Sequence, residues 1–186
     1  IEAAGGRARP ESSRVDDWES GERITGACLE HFGRLDGLIL AAHRTLVAPL
    51  WSLSERDLDR TLAVHVKGHF ACAHFAARVM REQGHGSILT VASRALNGLP
   101  GGSPYAAAKG AILSATFSWA LELADSGVRV NCLNPAAMLG PGEPARHMQW
   151  HWEFDVENPG WSGPVPAAES VAPLAVYLMC DETDWV

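Results

Sequence analysis

The sequence predicts an α/β fold in which a parallel sheet lies between two layers of helices, a three-layer α/β/α arrangement. Three short, continuous apolar runs are typical of strands buried on both faces, and they cover residues 38–42, 87–92 and 128–133. Longer helical stretches separate these runs. Strands that alternate with helices favour a parallel sheet with helices on both faces.

Helices are expected at residues 18–31, 54–82, 103–125 and 168–180. Gly33, Gly84 and Gly127 are expected to end the first three, because glycine adopts the left-handed conformation that closes a helix without steric cost. Ser54 is expected to cap the second helix through its hydroxyl group.

The composition is that of one globular domain spanning residues 1–186, with 47% hydrophobic and 20% charged residues. The net charge of −7 argues against nucleic acid as a partner, since phosphate binding needs clustered Lys and Arg. No apolar run is long enough to span a bilayer, so no membrane partner is expected. The four cysteines are far apart and form no C-x-x-C pair, which favours reduced thiols and a cytoplasmic location.

Residues 136–168 are rich in Gly, Pro and Trp and have weak periodicity. Loops of this length are usually functional or disordered. Trp150, Trp152 and Trp161 indicate either a lid over a substrate or a surface for a partner. We favour the lid, and therefore expect this segment to be a loop on the substrate side of the domain.

Tyr105 and Lys109 form a Y-x-x-x-K motif in a chain with two tyrosines and two lysines, so a chance match is improbable. Ser103 as N-cap and Pro104 as first helical residue predict that a helix begins here. Residues four apart share one helix face, which puts the ammonium beside the phenol and lowers the pKa of the tyrosine. The alternative is a buried core tyrosine followed by a solvated lysine.

The motif is expected to lie at one edge of the sheet with other candidate residues. Ala41, Ser93 and Pro135 each follow the carboxyl end of a predicted strand. Ligands bind at this edge in open parallel sheets. The start of the Tyr105 helix joins these three segments in one crevice, which predicts a small-molecule site.

These residues resemble the short-chain dehydrogenase/reductase family over nearly the whole chain. Residues 32–36 resemble the family's helix-to-strand turn, and residues 131–135 resemble the start of its N-x-x-x-P-G segment. Ser93 matches the active-site serine, one residue nearer the tyrosine than is usual, and Tyr105 with Lys109 matches the family's Y-x-x-x-K pair. The resemblance implies a Rossmann-like fold.

The resemblance also implies a mechanism. Tyr105 would be the general acid/base, Ser93 would hydrogen-bond the same substrate oxygen, and Lys109 would hold the nicotinamide ribose. Hydride would pass between NAD or NADP and a secondary alcohol or ketone. A homodimer or homotetramer is implied as well. The cofactor-binding residues implied are Leu40, Ala41, Ala42, Tyr105, Lys109, Pro135, Ala136 and Met138.

The chain departs from the family in its phosphate loop. The T-G-x-x-x-G-x-G segment is absent, so the N-terminal β-α-β unit is expected upstream of Ile1, and the C-terminal strand beyond Val186. On this interpretation the chain is a fragment. With exposed sheet edges and helix faces, it is expected to fold poorly or to oligomerise on its own.

Two further segments differ from the family pattern. Residues 40–43, Leu-Ala-Ala-His, stand in place of N-N-A-G, which removes two side-chain amides beside the cofactor. Ala136 follows Pro135 in place of glycine, which restricts the backbone there. These changes favour a second hypothesis, a non-enzymatic scaffold or regulatory relative. The intact Ser93, Tyr105 and Lys109 disfavour it, and an epimerase or dehydratase of the same superfamily is a third possibility.

His65 stands where the family has an active-site asparagine. Residues 64–68 resemble the (3R)-hydroxyacyl-CoA dehydrogenase part of peroxisomal multifunctional enzymes and their bacterial relatives. This implies a catalytic role for His65 and a 3-hydroxyacyl-CoA or steroid-like substrate. The equally weighted alternative is a helix histidine satisfied by a backbone carbonyl.

Two histidine pairs with helical spacing, His65 with His69 and His147 with His151, could contribute to a zinc site. Neither pair has a third ligand at a suitable position. We therefore expect no metal site.

Overall fold

The structure, a computed structural model, describes residues 1–44, 46–135 and 167–183. Its centre is a parallel sheet of three strands in the order β1-β2-β3. The strands are β1 (Gly37–Leu40), β2 (Gly86–Val91) and β3 (Val128–Leu133). All three predicted strands are confirmed, although β1 ends two residues earlier than the apolar run suggests.

Five α-helices surround this sheet in the described part of the chain. They are α1 (Glu19–Phe32), α2 (Glu55–Leu62), α3 (Gly68–Gln83), α4 (Ser103–Leu123) and α5 (Ala172–Met179). The single helix predicted over residues 54–82 is interrupted by a π-helical segment, Ala63–Lys67, between α2 and α3. The predicted last helix begins with a 3₁₀ turn, Ala168–Val171, ahead of α5.

The predicted helix ends are confirmed at three glycines with positive φ: 78° at Gly33, 76° at Gly84 and 70° at Gly127. The Ser54 cap is also confirmed, because its Oγ accepts a hydrogen bond from the Asp57 N–H at 3.2 Å. The predicted Ser103 cap is wrong. Ser103 is already helical, since the N-cap residue of α4 is one position earlier and no side chain caps this end.

Helices cover both faces of the sheet, as predicted. Thr90 of β2 faces α4, where its hydroxyl lies 2.7 Å from that of Thr116. Ser87, three residues earlier on the same strand, faces the opposite side and donates a hydrogen bond to the Leu178 carbonyl of α5 at 3.1 Å. Successive residues of a strand point to opposite faces, so residues an odd number of positions apart do as well, and β2 is buried between two helical layers.

The helix α1 packs closely on α3. A Cβ atom at Gly21 would lie 2.5 Å from the backbone carbonyl of Ala71, so glycine is required at this crossing. The core cluster contains Leu35, Leu40, Cys72, Ala73, Ala76, Met80, Ile88, Leu123, Val128 and Val130. This packing fixes the helical segment that carries His65 relative to the sheet.

Some apolar surface stays exposed in the described residues. Ile39 of the edge strand β1 is 48% exposed, and Leu121 on α4 is 82% exposed. Such surfaces usually pair with another chain or segment. None of the described helices is long and apolar enough to cross a membrane.

Candidate active site

Tyr105 and Lys109 lie on one face of α4, at the carboxyl edge of the sheet. Tyr105 is half-buried in the first turn, and Lys109 is 3% exposed one turn later. The ammonium nitrogen of Lys109 is 5.6 Å from the centroid of the tyrosine ring and donates a hydrogen bond to the carbonyl of Val91, the last residue of β2. The strand end therefore holds the ammonium against the phenol ring.

Burial changes the acidity of Lys109. Loss of solvation lowers its pKa from 10.5 to about 8, and the nearby Cys132 opposes this in part. The ammonium is therefore largely protonated at neutral pH and loses its charge in mildly alkaline solution.

His65 lies in the π-helical segment and is fully buried. Its Nε2 lies 3.1 Å from the Arg44 backbone nitrogen and 3.0 Å from the Arg44 carbonyl oxygen, so either tautomer has a backbone partner. Desolvation lowers its pKa to about 4, which keeps the ring neutral at physiological pH. The backbone-satisfied histidine, one of the two sequence alternatives, therefore agrees with these contacts.

The structure also brings His43 to this site, although the sequence did not single it out. Its ring centroid lies 5.3 Å from that of Tyr105, at 87°, and 5.3 Å from that of His65, at 73°. The rings of His65 and Tyr105 are 5.1 Å apart at 74°. We call these three residues the three-ring cluster. The signal available in the sequence was the position of His43, just after a strand at the carboxyl edge.

Ser93 lies two residues beyond β2 in extended conformation. Its Oγ accepts a hydrogen bond from the Ala95 N–H at 3.2 Å, which starts a 3₁₀ turn, Arg94–Asn97, that contacts α4. Ser93 and Tyr105 are thus at the same edge of the sheet, on segments in contact with each other.

The residues expected to line a cofactor are only partly described. Leu40 ends β1 and is 4% exposed, while Ala41 is exposed and Ala42 half-buried just beyond it. Pro135 follows β3 and is half-buried. Ala136 and Met138 lie outside the described residues, as do positions 139–166 of the expected lid.

The histidine pairs give no metal centre in the described ranges, where no three His, Cys, Asp or Glu side chains are grouped to hold an ion. His69 is 1% exposed, and desolvation lowers its pKa to about 4. His147 and His151 lie outside the described residues.

An open cavity of about 1150 Å³ lies at the other end of the sheet, beside the amino ends of β2 and β3. Its lining includes Asp36, whose carboxylate accepts hydrogen bonds from Arg34 and His85, each at 2.7 Å. The hydrogen bonds from the Arg34 guanidinium are the main cause of the lowered pKa of Asp36. These three side chains are about half exposed, with no buried reactive group among them.

The fold is α/β with a parallel sheet, and it places the paired tyrosine and lysine at the carboxyl ends of the strands. The family model described as short chain dehydrogenase matches residues 1–147. The chain belongs to that family.

Individual relatives agree with this assignment. The chain is 39% identical over 126 residues to an uncharacterized oxidoreductase of Thermotoga maritima. This alignment covers 67% of this chain and 50% of that protein. It is 38% identical over 113 residues to the (2S)-[(R)-hydroxy(phenyl)methyl]succinyl-CoA dehydrogenase subunit BbsD of Thauera aromatica, covering 61% of this chain and 46% of that one.

Among solved structures, NAD⁺-bound xylitol dehydrogenase aligns with a TM-score of 0.86 and 25% identity over 100% of this chain and 77% of that chain. The chain spans about half the length of the curated relatives it matches.

Proposed function

We propose that this protein is an NAD- or NADP-dependent oxidoreductase that interconverts a secondary alcohol and a ketone, with Tyr105 as the group that transfers the proton. The observation that carries the proposal is the position of Tyr105, whose ring faces the buried ammonium of Lys109 at the carboxyl edge of the sheet. A phenol beside a buried cation is suited to general acid/base catalysis.

In the proposed mechanism, Tyr105 as phenolate takes the hydroxyl proton of the alcohol in oxidation, and as phenol gives a proton to the ketone oxygen in reduction. The hydroxyl of Ser93 donates a hydrogen bond to that same oxygen and stabilises the charge that develops there. A bound nicotinamide would supply the hydride acceptor for oxidation and the hydride donor for reduction. The protein orients the reacting carbon and excludes water around it.

Lys109 sets the working pH in this proposal. Its charge favours the phenolate form of Tyr105 through Coulombic attraction. Because its pKa is about 8, this support is present at neutral pH and weakens in alkaline solution. We propose a structural role for His65 beside the catalytic one that the resemblance implies. Its neutral ring packs on Tyr105, and its Nε2 contacts the backbone of Arg44.

The residues at this edge fit the nicotinamide and ribose end of a dinucleotide. The short side chains of Ala41 and Ala42 leave the backbone beyond β1 open, and Lys109 supplies a cationic donor for ribose hydroxyls. Leu40, Pro135, Ala136 and Met138 would complete the lining. The NAD⁺ bound by the xylitol dehydrogenase neighbour supports a nicotinamide cofactor, either NAD or NADP.

The substrate we propose is a 3-hydroxyacyl-CoA or a steroid-like alcohol. Two observations support an acyl-CoA: the resemblance of residues 64–68 to hydroxyacyl-CoA dehydrogenases, and the relative from Thauera aromatica, whose name specifies a CoA thioester. We also propose that residues 136–168, which are rich in Gly, Pro and Trp, form the lid for such a substrate.

We also propose a homodimer or homotetramer in the cytoplasm. Phe117 and Leu121 on α4 are 64% and 82% exposed, and Phe70 on α3 is 37% exposed, so these helices present an apolar face. A second copy of the chain would cover it. All four cysteines are free thiols, which agrees with a reducing compartment.

A non-enzymatic scaffold is the second candidate. The observation in its favour is the apolar Leu40-Ala41 pair in place of the family's two amides, together with the exposed edge of β1 beside it. A scaffold would keep the sheet and would not need Tyr105 as a general acid/base.

The experiment that decides is NAD(P)H formation by the full-length protein from xylitol, a 3-hydroxysteroid and 3-hydroxybutyryl-CoA. Tyr105→Phe is expected to lower turnover by about 10²- to 10⁴-fold, the usual contribution of a general acid/base. Tyr177→Phe is the matched control, because Tyr177 is the other tyrosine and is 45% exposed on α5. Equal turnover in both variants, or none in the wild type with any of these alcohols, contradicts the proposal and favours the scaffold.

A further inference from the structure

The loop that follows β1 places a cation beside the candidate active site. The ring centroids of His43 and Tyr105 are 5.3 Å apart, and the residue after His43 is Arg44. The backbone of Arg44 is held by His65, whose Nε2 lies 3.1 Å from its nitrogen and 3.0 Å from its oxygen. His65 in turn packs on Tyr105. Arg44 is therefore joined to two residues that contact the proposed general acid/base.

The guanidinium of Arg44 has no carboxylate partner among the described residues. None of the ion pairs found in that part of the chain includes it. Arg44 is half-buried, and its Nε is buried without a hydrogen-bond partner. A buried N–H group that lacks an acceptor costs free energy, and a charged one costs more. An anion that accepts a hydrogen bond from this Nε would remove that cost.

The loops at this edge of the sheet carry positive charge and no acidic side chain. The sequence has no Asp or Glu in residues 41–54, 92–104 and 134–135, although the whole chain has 22 acidic residues and a net charge of −7. Arg94 follows Ser93 on the same edge, and the ammonium of Lys109 lies against the ring of Tyr105. A site lined by one sign of charge attracts ligands of the opposite sign. These loops therefore favour a negatively charged ligand.

We propose that Arg44 binds an anionic group of the substrate, so that the site selects acidic secondary alcohols over neutral ones. This inference rests on the proposed function, and it favours the acyl-CoA over the steroid-like alcohol. A guanidinium matches the oxygens of a carboxylate or a phosphate with parallel N–H bonds. The anionic group is therefore either the carboxylate of a free hydroxy acid or a phosphate of CoA.

The backbone contact from His65 contributes to this binding by preorganisation. Because the main chain of Arg44 is already fixed, the cost of ordering it when the substrate binds is smaller. Arg44 is thus a specificity-determining residue: it binds a part of the substrate that does not react, while Tyr105 acts on the hydroxyl group.

The test uses the full-length protein and pairs of substrates that differ in charge. 3-Hydroxybutyrate is paired with its neutral methyl ester, and 3-hydroxybutyryl-CoA with 3-hydroxybutyryl-pantetheine, which lacks the phosphates. Arg44→Gln is expected to raise KM for the anionic member of one pair by about 10- to 100-fold, because a charged hydrogen bond is lost. The value of kcat should change little, since the contact exists before and during the reaction. The pair that responds identifies the anion as carboxylate or phosphate.

The neutral member of each pair is the control for folding, because its kcat and KM should be the same in the wild type and in Arg44→Gln. Arg78→Gln is the matched control variant: Arg78 is exposed on α3, and its replacement removes the same charge. Equal effects on both members of each pair, or no effect on either, would overturn the inference. A raised KM for NAD or NADP alone would also overturn it, since the guanidinium would then bind a phosphate of the cofactor.

A second readout does not need turnover. NMR can follow the Nε–H signal of Arg44, which is assigned by its absence in Arg44→Gln. Either 3-hydroxybutyrate or coenzyme A is expected to shift this signal, while the methyl ester and pantetheine should leave it in place. A signal that responds to neither anion would overturn the inference. A wild type that oxidises none of these alcohols contradicts the proposed function instead, and the titration then decides on its own whether Arg44 binds an anion.

Discussion

The two ends of the sheet carry clusters of ionisable side chains, but only one of the two described clusters is buried. At the carboxyl end, Lys109 is 3% exposed and His65 fully buried, and their pKa values are lowered to about 8 and about 4. At the amino end, the side chains of Arg34, Asp36 and His85 are 62%, 53% and 46% exposed. There the pKa of Asp36 is lowered chiefly by hydrogen bonds from Arg34.

This difference teaches that desolvation shifts the pKa of a side chain more than neighbouring charges or the volume of a nearby cavity do. The amino end has the open cavity of about 1150 Å³, yet its charges are solvated and pair with one another. The carboxyl end has fewer charges, but they are held in the protein interior, where electrostatic effects are larger. The candidate active site is therefore at the end of the sheet where Lys109 and His65 are buried.

The largest effect on stability is expected from acid. The pKa of His65 and of His69 is lowered from 6.5 to about 4, so the unfolded chain binds protons at a higher pH than the folded chain does. Stability is therefore fully present above pH 6.5 and is lost as the pH falls toward 4. Each histidine should account for about 3 kcal/mol of this loss.

His65→Asn is expected to remove about half of this acid sensitivity, as measured by urea unfolding at pH 6.5 and pH 4. His74→Asn, at an exposed position of α3, is the control and should retain the full loss. An unchanged acid loss in His65→Asn would mean that this ring is not desolvated in the folded protein.

Lys109 should have a similar effect in alkaline solution. Its pKa falls from 10.5 in the unfolded chain to about 8 in the fold, so the charged form is penalised below pH 8. The penalty is relieved as the pH rises from 8 to 10.5, and the wild type should gain about 3 kcal/mol relative to Lys109→Met over this range.

Urea unfolding of both proteins at pH 8 and pH 10.5 measures this difference. Lys67→Met is the matched control, because Lys67 is the other lysine and is exposed. A parallel pH dependence in the wild type and in Lys109→Met would contradict the buried ammonium.

The smallest effect is expected at the amino end. Asp36→Asn removes the carboxylate that Arg34 and His85 share, but the pair is half exposed and screened by water. We expect a loss of at most about 1 kcal/mol in the free energy of unfolding. A loss of several kcal/mol would show that this cluster is as important to the fold as the buried one.

Much of the fold could be predicted because it depends on local signals. Continuous apolar runs identified the strands, and glycines identified the helix ends at Gly33, Gly84 and Gly127. The π-helical segment, Ala63–Lys67, was not predictable in this way, because an extra residue in a helical turn depends on packing against other elements. The Ser103 cap failed for a similar reason, since the backbone enters α4 one residue earlier than the serine suggested.

Residues of the candidate site were likewise predictable where they depend on local signals, and were missed where they depend on tertiary packing. The pair Tyr105 and Lys109 follows from helical spacing, and Ser93 follows from its position after a strand. His43 was missed because an exposed loop histidine has no periodic pattern. Its contact with Tyr105 exists only once β1 and α4 are assembled, when the bond between His65 and Arg44 fixes the loop.

The most direct test of the account compares turnover when each end of the sheet is changed in turn. The measurement is the rate of NAD(P)H formation, with the alcohol that the wild type oxidises best, in Tyr105→Phe and in the double variant Asp36→Asn with His85→Asn. The account predicts a loss of about 10²- to 10⁴-fold for Tyr105→Phe. It predicts a change within about twofold for the double variant, as for surface substitutions away from a site. A large loss in the double variant, with Tyr105→Phe unaffected, would contradict the account and put the chemistry at the amino end.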